Sequence, residues 1–282
     1  MSTVLRRLAP SDLGFAHALS RGAGWNQTRR DWERFLALAP QGCFLAETEG
    51  QPAGTATTTA YGKRLAWIGM VLVDPSFRRR GIGTALLEAA IGHLRDRANV
   101  TCIRLDATPE GRPLYEGLGF VAEWDLHRWV RDGSLPLEEN GQGPAEPRED
   151  PLPASALALD LAAFGADRSL LLESLRTGSA DALVLPDGSF GFRRAGERAH
   201  YLGPVTAATS DSGLALTERL ISRCPRDRPL FWDLPESNEA ATALAVRLGF
   251  VPARVLTRMR LGEDTAPQDP IRTFGLAEPG LG

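Results

Sequence analysis

An α+β fold, present twice in tandem, is what this chain of 282 residues predicts, on three observations. Strand-like and helical patterns follow one another in the order strand, two helices, strand meander, helix, strand, short helix, strand. Residues 132–153, rich in Pro, Gly and acidic side chains and without either periodicity, separate that series from the rest and read as a linker. An ungapped shift of 130 residues then superposes Gly83, Ala85, Leu86 and Glu88 on Gly213, Ala215, Leu216 and Glu218, and Leu118, Gly119, Phe120 and Val121 on Leu248, Gly249, Phe250 and Val251. Two separated clusters at one offset mark a duplicated architecture. The expected organisation is a first domain over residues 1–131, the linker, and a strongly diverged second copy over residues 154–282.

Each element has a local cause. Ser11 or Asp12 is placed to cap a first helix, and Thr28 with Asp31 three residues on forms a capping box for a second, running through Trp32, Phe35 and Leu36. Strands follow at residues 43–47, 53–60 and 65–73, turning at Glu49-Gly50-Gln51 and Tyr61-Gly62-Lys63. Over residues 83–94 the apolar Leu86, Leu87, Ala90, Ile91 and Leu94 recur at helical spacing. Residues 102–107 and 120–130 complete the set as strands.

Composition narrows the function. With 43% hydrophobic and 24% charged residues the chain has apolar content for two ordinary cores. A net charge of -3 offers no basic excess for nucleic acid or an anionic membrane, so neither is expected as a partner. The three cysteines, Cys43, Cys102 and Cys224, are odd in number and far apart, which argues for buried reduced thiols rather than a disulfide framework. Four isolated histidines give no zinc spacing, and no metal is expected. Neither a signal core nor a bilayer-length apolar run is present, so a cytoplasmic protein is expected; association as a homodimer is left open.

Chemistry concentrates in VLVDPSFRRRGIGTALLEAA, an apolar strand, a turn at Asp74 and Pro75, a loop with Gly81 and Gly83, then a helix. The first turn of a helix leaves about four N–H groups unpartnered at an electropositive end, a natural seat for phosphate. The two glycines let an oxygen approach those groups, and Arg78, Arg79 and Arg80 add cationic charge. The bland reading is a glycine turn beside a solvated arginine patch. Leu86 stands where a third glycine of GxGxxG would be, and no Gly-Lys-Ser/Thr is present, so hydride and phosphoryl transfer on nucleotides are demoted.

These residues resemble the GNAT acyltransferase superfamily, whose hallmark Arg/Gln-x-x-Gly-x-Gly/Ala stands here as Arg78-x-x-Gly81-x-Gly83. Residues 114–120, LYEGLGF, are similar to the family's second signature, a tyrosine-bearing helix leading into the sixth strand. The resemblance covers residues 4–130 well and the second half in outline. It implies two tandem GNAT folds, each a twisted, mixed, mostly antiparallel sheet flanked by helices, and acetyl-coenzyme A as acyl donor. Arg78, Arg79, Arg80, Gly81, Ile82, Gly83 and Thr84 would hold its phosphates, and the backbone of Val71, Leu72 and Val73 its pantetheine arm. Gly69 suits the strand bulge that the family uses to open its cleft.

The same resemblance implies direct attack by an amine, with no nucleophilic side chain of the protein required, in keeping with the absence of a GxSxG elbow. An N–H near Val71 would stabilise the oxyanion, a contribution of about 3 kcal/mol. Tyr115 corresponds to the general acid, and a phenol suits protonation of sulfur. Thr108 stands where the family has asparagine. No general base is visible, Asp106 and Glu47 being the carboxylates at hand. Trp25 and Asn26, with Gln27, lie on the acceptor side, an arrangement fit for a small-molecule amine or an exposed amino group. Under the 130-residue shift Arg78, Gly81 and Tyr115 become Ala208, Asp211 and Ala245, while Thr108 becomes Asn238, so the second copy is expected to lack a working coenzyme loop and to complete the acceptor cleft or add stability. The competing reading is an acyl-coenzyme A sensor with little turnover.

Overall fold

The computed structural model describes residues 3–97, 99–133 and 151–282. The first half runs β1 (Thr3–Arg7), α1 (Leu13–Gly22), α2 (Arg29–Leu38), β2 (Cys43–Thr48), β3 (Gln51–Tyr61), β4 (Leu65–Val73), α3 (Ile82–Gly92), β5 (Cys102–Ala107), α4 (Arg112–Gly117) and β6 (Val121–Arg131). The second runs α5 (Ala154–Phe164), α6 (Ser169–Thr177), β7 (Asp181–Val184), β8 (Phe190–Arg194), β9 (His200–Thr206), α7 (Ser210–Ser222), β10 (Leu230–Pro235), α8 (Glu239–Arg247), β11 (Val251–Gly262) and β12 (Thr273–Gly275). The expected linker lies largely outside the described residues. No described helix is long and apolar enough to cross a membrane.

Local signals act as read, with one exception. Thr28 and Asp31 form the capping box of α2, Asp31 N donating to Thr28 Oγ1 at 3.2 Å and Thr28 N to Asp31 Oδ2 at 2.8 Å. Asp12 precedes α1 without capping it; its carboxylate turns back to accept from Ala9 N at 2.7 Å and from Arg6.

The two halves share one mixed sheet, ordered β1-β2-β3-β4-β5-β11-β6-β10-β9-β8-β7, with β12 added against β9. Most neighbours are antiparallel; β4 with β5 and β9 with β10 are parallel. The closing strands are exchanged. β11 lies between β5 and β6, pairing Thr257 with Ala107 through Gly262 with Cys102 on one side and Val251 with Val130 through Arg260 with Val121 on the other. β6 in turn pairs along β10. Two folds side by side are therefore joined through backbone hydrogen bonds, with neither sheet complete without the other half.

Alternation along β4 separates the cores: Leu65 and Trp67 face one layer, Ala66 and Ile68 the other. On the latter face α3 covers β2 to β5, and α7 with α8 covers β9 and β10. On the former, side chains of α1, α2, α5 and α6 merge into one apolar cluster with Phe190 and Phe192 of β8. The inserted strand is pinned by charge as well. Arg258 of β11 donates to both oxygens of Asp106 on β5, at 2.9 and 3.0 Å, while its guanidinium lies 4.5 Å from the ring of Trp67 and 4.3 Å from that of Trp124. Arg104 of β5 grips Glu123 of β6 and the carbonyl of Ala266, all but sealed from solvent.

Residues 1–153 produced alone lack β11, leaving β5 and β6 without their shared neighbour and Asp106 without its arginine. The expected result is no cooperative thermal transition by circular dichroism, whereas the full chain melts in a single one.

Candidate active site

β4 and β5 diverge. They pair only from Leu65 with Cys102 to Trp67 with Arg104, and beyond that the strands splay into a V. A bulge in β4 marks the opening: Thr57 faces Gly69 and Thr55 faces Leu72, so Met70 and Val71 together oppose Ala56, with Met70 in the left-handed region at φ 52°. The bulge therefore sits one residue beyond the glycine expected to make it. Gly69 is glycine for another reason, since a Cβ there would lie 2.5 Å from the carbonyl oxygen of Gly280. Of the three β4 positions expected to meet a pantetheine arm, Val71 lines the cleft, and Leu72 pairs with β3. Val73, half-buried, packs against the α3 side.

The loop from β4 to α3 is built by its own side chains. Asp74 accepts from Ser76 N at 2.9 Å, Arg78 Nε donates to Val73 O at 3.2 Å and Arg80 to Ser76 O at 3.1 Å. Arg78, Arg79 and Arg80 are all exposed. Gly81, the residue before α3, has φ 77° and no side chain to cap the helix, so the first-turn N–H groups of Ile82, Gly83 and Thr84 are left without one. A Cβ at Gly81 would touch nothing within 4 Å and one at Gly83 would make only ordinary contact at 3.6 Å. Backbone conformation explains Gly81; packing within the chain does not explain Gly83.

Inside the V lies a cavity of about 120 Å³ bounded by Val71, Leu105, Tyr115, Trp25 and Gln27, with Arg254 and Leu256 from β11. Tyr115 stands on α4, its ring edge-on to Phe120 at 6.1 Å, and burial raises its phenol to about 12. Thr108 also borders the cavity, and its hydroxyl accepts from Gly111 N at 3.2 Å in the turn that leads into α4. Asn26 does not face this cavity. Its amide is spent clamping the second half, accepting from Arg198 N and Ala199 N at 2.9 and 3.0 Å and donating to Ala199 O at 3.1 Å. Its neighbour Gln27 takes the cavity position. Glu47 is held by Arg6 at the β1 edge, far from the V in the strand order, whereas Asp106 borders the cavity with both oxygens engaged by Arg258 and its carboxyl raised by burial.

Residues 14–120 match the acetyltransferase (GNAT) family, and residues 156–275 match an acetyltransferase (GNAT) domain. The chain belongs to the GNAT acetyltransferases, with two domains in tandem. It is 29% identical over 192 residues to YitH of Bacillus subtilis, an uncharacterized N-acetyltransferase, covering 66% of each chain. It is 37% identical over 85 residues to the mycothiol acetyltransferase of Thermomonospora curvata, covering 29% of this chain and 28% of that one. The matches thus span about two thirds or less of these relatives' lengths. A putative acetyltransferase from Pyrococcus horikoshii shares the fold at a TM-score of 0.80 and 24% identity, covering 99% of this chain and 96% of that one.

The second GNAT domain has the same V, and fills it. β9 pairs with β10 only from His200 to Leu202, and β12 enters the gap beyond, bonded to β9 at Val205 and Thr206. On the other side Trp232 Nε1 donates to Phe274 O at 2.7 Å and Leu276 N to Asp233 O at 3.0 Å. The Phe274 ring stands 2.5 Å from where a Cβ on Gly213 would be, at the first turn of α7. That helix follows β9 after residues 207–209 alone, against residues 74–81 in the first domain, and Thr209 caps it by accepting from Ser212 N at 3.2 Å. The residue that precedes α7, as Gly81 precedes α3, is therefore Thr209, and Asp211 sits inside α7. Asn238 is a cap, accepting from Ala241 N at 3.0 Å while its amide holds the carbonyls of Ile271 and Thr273.

After β12 the chain crosses to the first domain. Trp67 Nε1 donates to Pro279 O at 2.9 Å, Tyr61 to Leu281 O at 2.6 Å and Arg168 to Gly282 O at 2.9 Å, laying Pro279 and Gly280 along the cavity wall. Glu278, nearly sealed from solvent, accepts from Gln27 Nε2 at 3.4 Å. Burial and the neighbouring Asp31 carboxylate push its carboxyl up to about 7, against the pull of Arg194 and Arg34. Glu278 borders a smaller polar pocket with Asn26, Asp31 and Arg194 rather than the cavity itself, with Gln27 shared between the two. In a Gly69→Ala protein the tail must shift away from β4, and a loss of about 1–3 kcal/mol is expected, measurable as a lower urea midpoint.

Proposed function

We propose that the first domain is an N-acetyltransferase that moves an acetyl group from acetyl-coenzyme A to a primary amine of a small molecule or an exposed amino group. The observation that carries this reading is a continuous route in one domain, from an uncapped helix N-terminus along a splayed strand edge to a half-buried tyrosine, with the matching route in the other domain occupied by β12. Residues 1–131 are the catalytic part in this view, and residues 154–282 supply the wall of the acceptor cavity without binding coenzyme.

The residues present fit the donor. Open space at Gly81, exposed Arg78, Arg79 and Arg80, and the N–H groups of Ile82, Gly83 and Thr84 would hold its phosphates, and the V beside Val71, Leu72 and Val73 its arm. When bound, acetyl-coenzyme A supplies an activated acetyl on a thioester, so the amine must lose one proton and the sulfur gain one. Tyr115, protonated throughout the neutral range, holds a proton on Oη at the cavity. Glu278, set beside Gln27, is the carboxyl poised to take one near neutral pH.

Two outcomes are expected. Titration calorimetry gives one acetyl-coenzyme A per chain, and Tyr115→Phe keeps that affinity while thiol release falls about 100-fold or more; unchanged release would leave the sensor reading in place. Because the Glu278 carboxyl is raised, its basic form is lost as pH falls through about 7. The wild-type profile of kcat/KM should therefore bend near pH 7 on the acid side, and Glu278→Gln should remove that bend.

A further inference from the structure

Two groups on the cavity wall lack partners, and they differ in what they need. Arg254 of β11 has a buried Nε with no hydrogen-bond partner, and no carboxylate lies within ion-pairing distance of its guanidinium among the described residues. Other arginines of the same sheet are matched: Arg104 with Glu123, Arg128 with Asp233 and Arg258 with Asp106. The groups around Arg254 do not substitute for a partner. Arg128 repels it, Asp233 is engaged by Arg128 and Tyr201, and Glu110 acts only at longer range. Burial and that repulsion lower Arg254 to about 10. Arg254 is half-buried, and a guanidinium partly withdrawn from water without a counter-charge is costly to keep unless something that binds there supplies the anion.

Gln27 presents the opposite need. It is 8% exposed, and its Nε2 is committed to Glu278 while its Oε1 is buried without a donor. Gln27 lines the cavity, and its amide oxygen is left as an acceptor without an N–H. With the amide nitrogen bonded to a carboxyl, the carbonyl is polarised toward accepting.

We propose that the acceptor carries a carboxylate as well as its amine, as a free amino acid does, with Arg254 meeting the carboxylate and the Gln27 amide oxygen an N–H of the amino group. Arginine suits the first task because its planar fork matches two carboxylate oxygens. The closed wall of Pro279 and Gly280 favours a compact molecule over the end of a folded protein. The inference rests on the acetyltransferase reading and narrows its acceptor.

The test is thiol release from acetyl-coenzyme A with free amino acids, their amides and their decarboxylated amines, for wild type, Arg254→Gln and Arg254→Lys, each first shown to be folded by thermal melting. Wild type is expected to favour the carboxylated member of each set by about 100-fold in kcat/KM, as a site built for a polar group rejects molecules lacking it. Arg254→Gln should lose that preference through KM, with acetyl-coenzyme A affinity unchanged by calorimetry, and Arg254→Lys should recover part. Equal rates for the decarboxylated amines, or a preference that survives Arg254→Gln, would overturn the assignment. So would acetylation of protein N-termini in preference to amino acids. If acetyl-coenzyme A binds and no amine in the panel reacts, the acceptor assignment falls while the coenzyme site stands; if it does not bind, both fall.

Discussion

The insertion of β11 between β5 and β6 is the constraint on which the molecule depends. A strand can enter a sheet only by satisfying both of its edges, and β11 does so with two strands of the other domain. Register follows, because a slip by one residue would turn Arg258 away from Asp106 and out from between Trp67 and Trp124. Everything the second domain contributes to the cavity is placed by this strand or by the chain that follows it.

Charge buried along this seam has a definite energetic meaning. Ion pairs this deep add little net stability compared with apolar packing, yet removing one partner costs about 3–5 kcal/mol. The pairs Arg258 with Asp106 and Arg128 with Asp233 thus penalise wrong pairings of β5, β6, β10 and β11 more than they reward the right one. The alternative they oppose is specific: each domain closing its own sheet, with β5 beside a strand of its own half. That arrangement would leave four buried charged groups unmatched.

Much of this was legible in the residues. Capping pairs, turn glycines and apolar spacing located α2, α3 and the β2 to β4 meander, because these depend on neighbours a few residues away. The loop from Arg78 to Thr84 stood out by its glycine spacing before a helix, whereas Tyr115 was singled out by the resemblance of residues 114–120 to a family signature. Strand exchange was not legible, since backbone pairing between β5 and β11 leaves no side-chain signature and β11 resembles β6 in pattern. Gly69 looked like a bulge because its true neighbour, Gly280, lies more than two hundred positions along the chain. Asn26 and Gln27 could not be ranked by type, as adjacent residues point opposite ways and only the fold decides which faces the cavity. The ungapped shift sets Asp211 at the place of Gly81, but α7 starts two residues earlier than α3 on that register, because the loop before it is shorter, so Asp211 lies inside the helix.

The strand β12 in the second V has a thermodynamic consequence. A cleft that binds a free ligand is stabilised by an amount that rises with the logarithm of the ligand's concentration, and loosens when the ligand is scarce. A cleft that holds a segment of its own chain experiences a local concentration set by the tether alone, and that never varies. On the proposed function, the second domain presents the same surface to the cavity whatever the supply of coenzyme in its surroundings. One wall of the cavity is then permanently set, and on that reading the response to coenzyme belongs to the edge formed by β4 and α3.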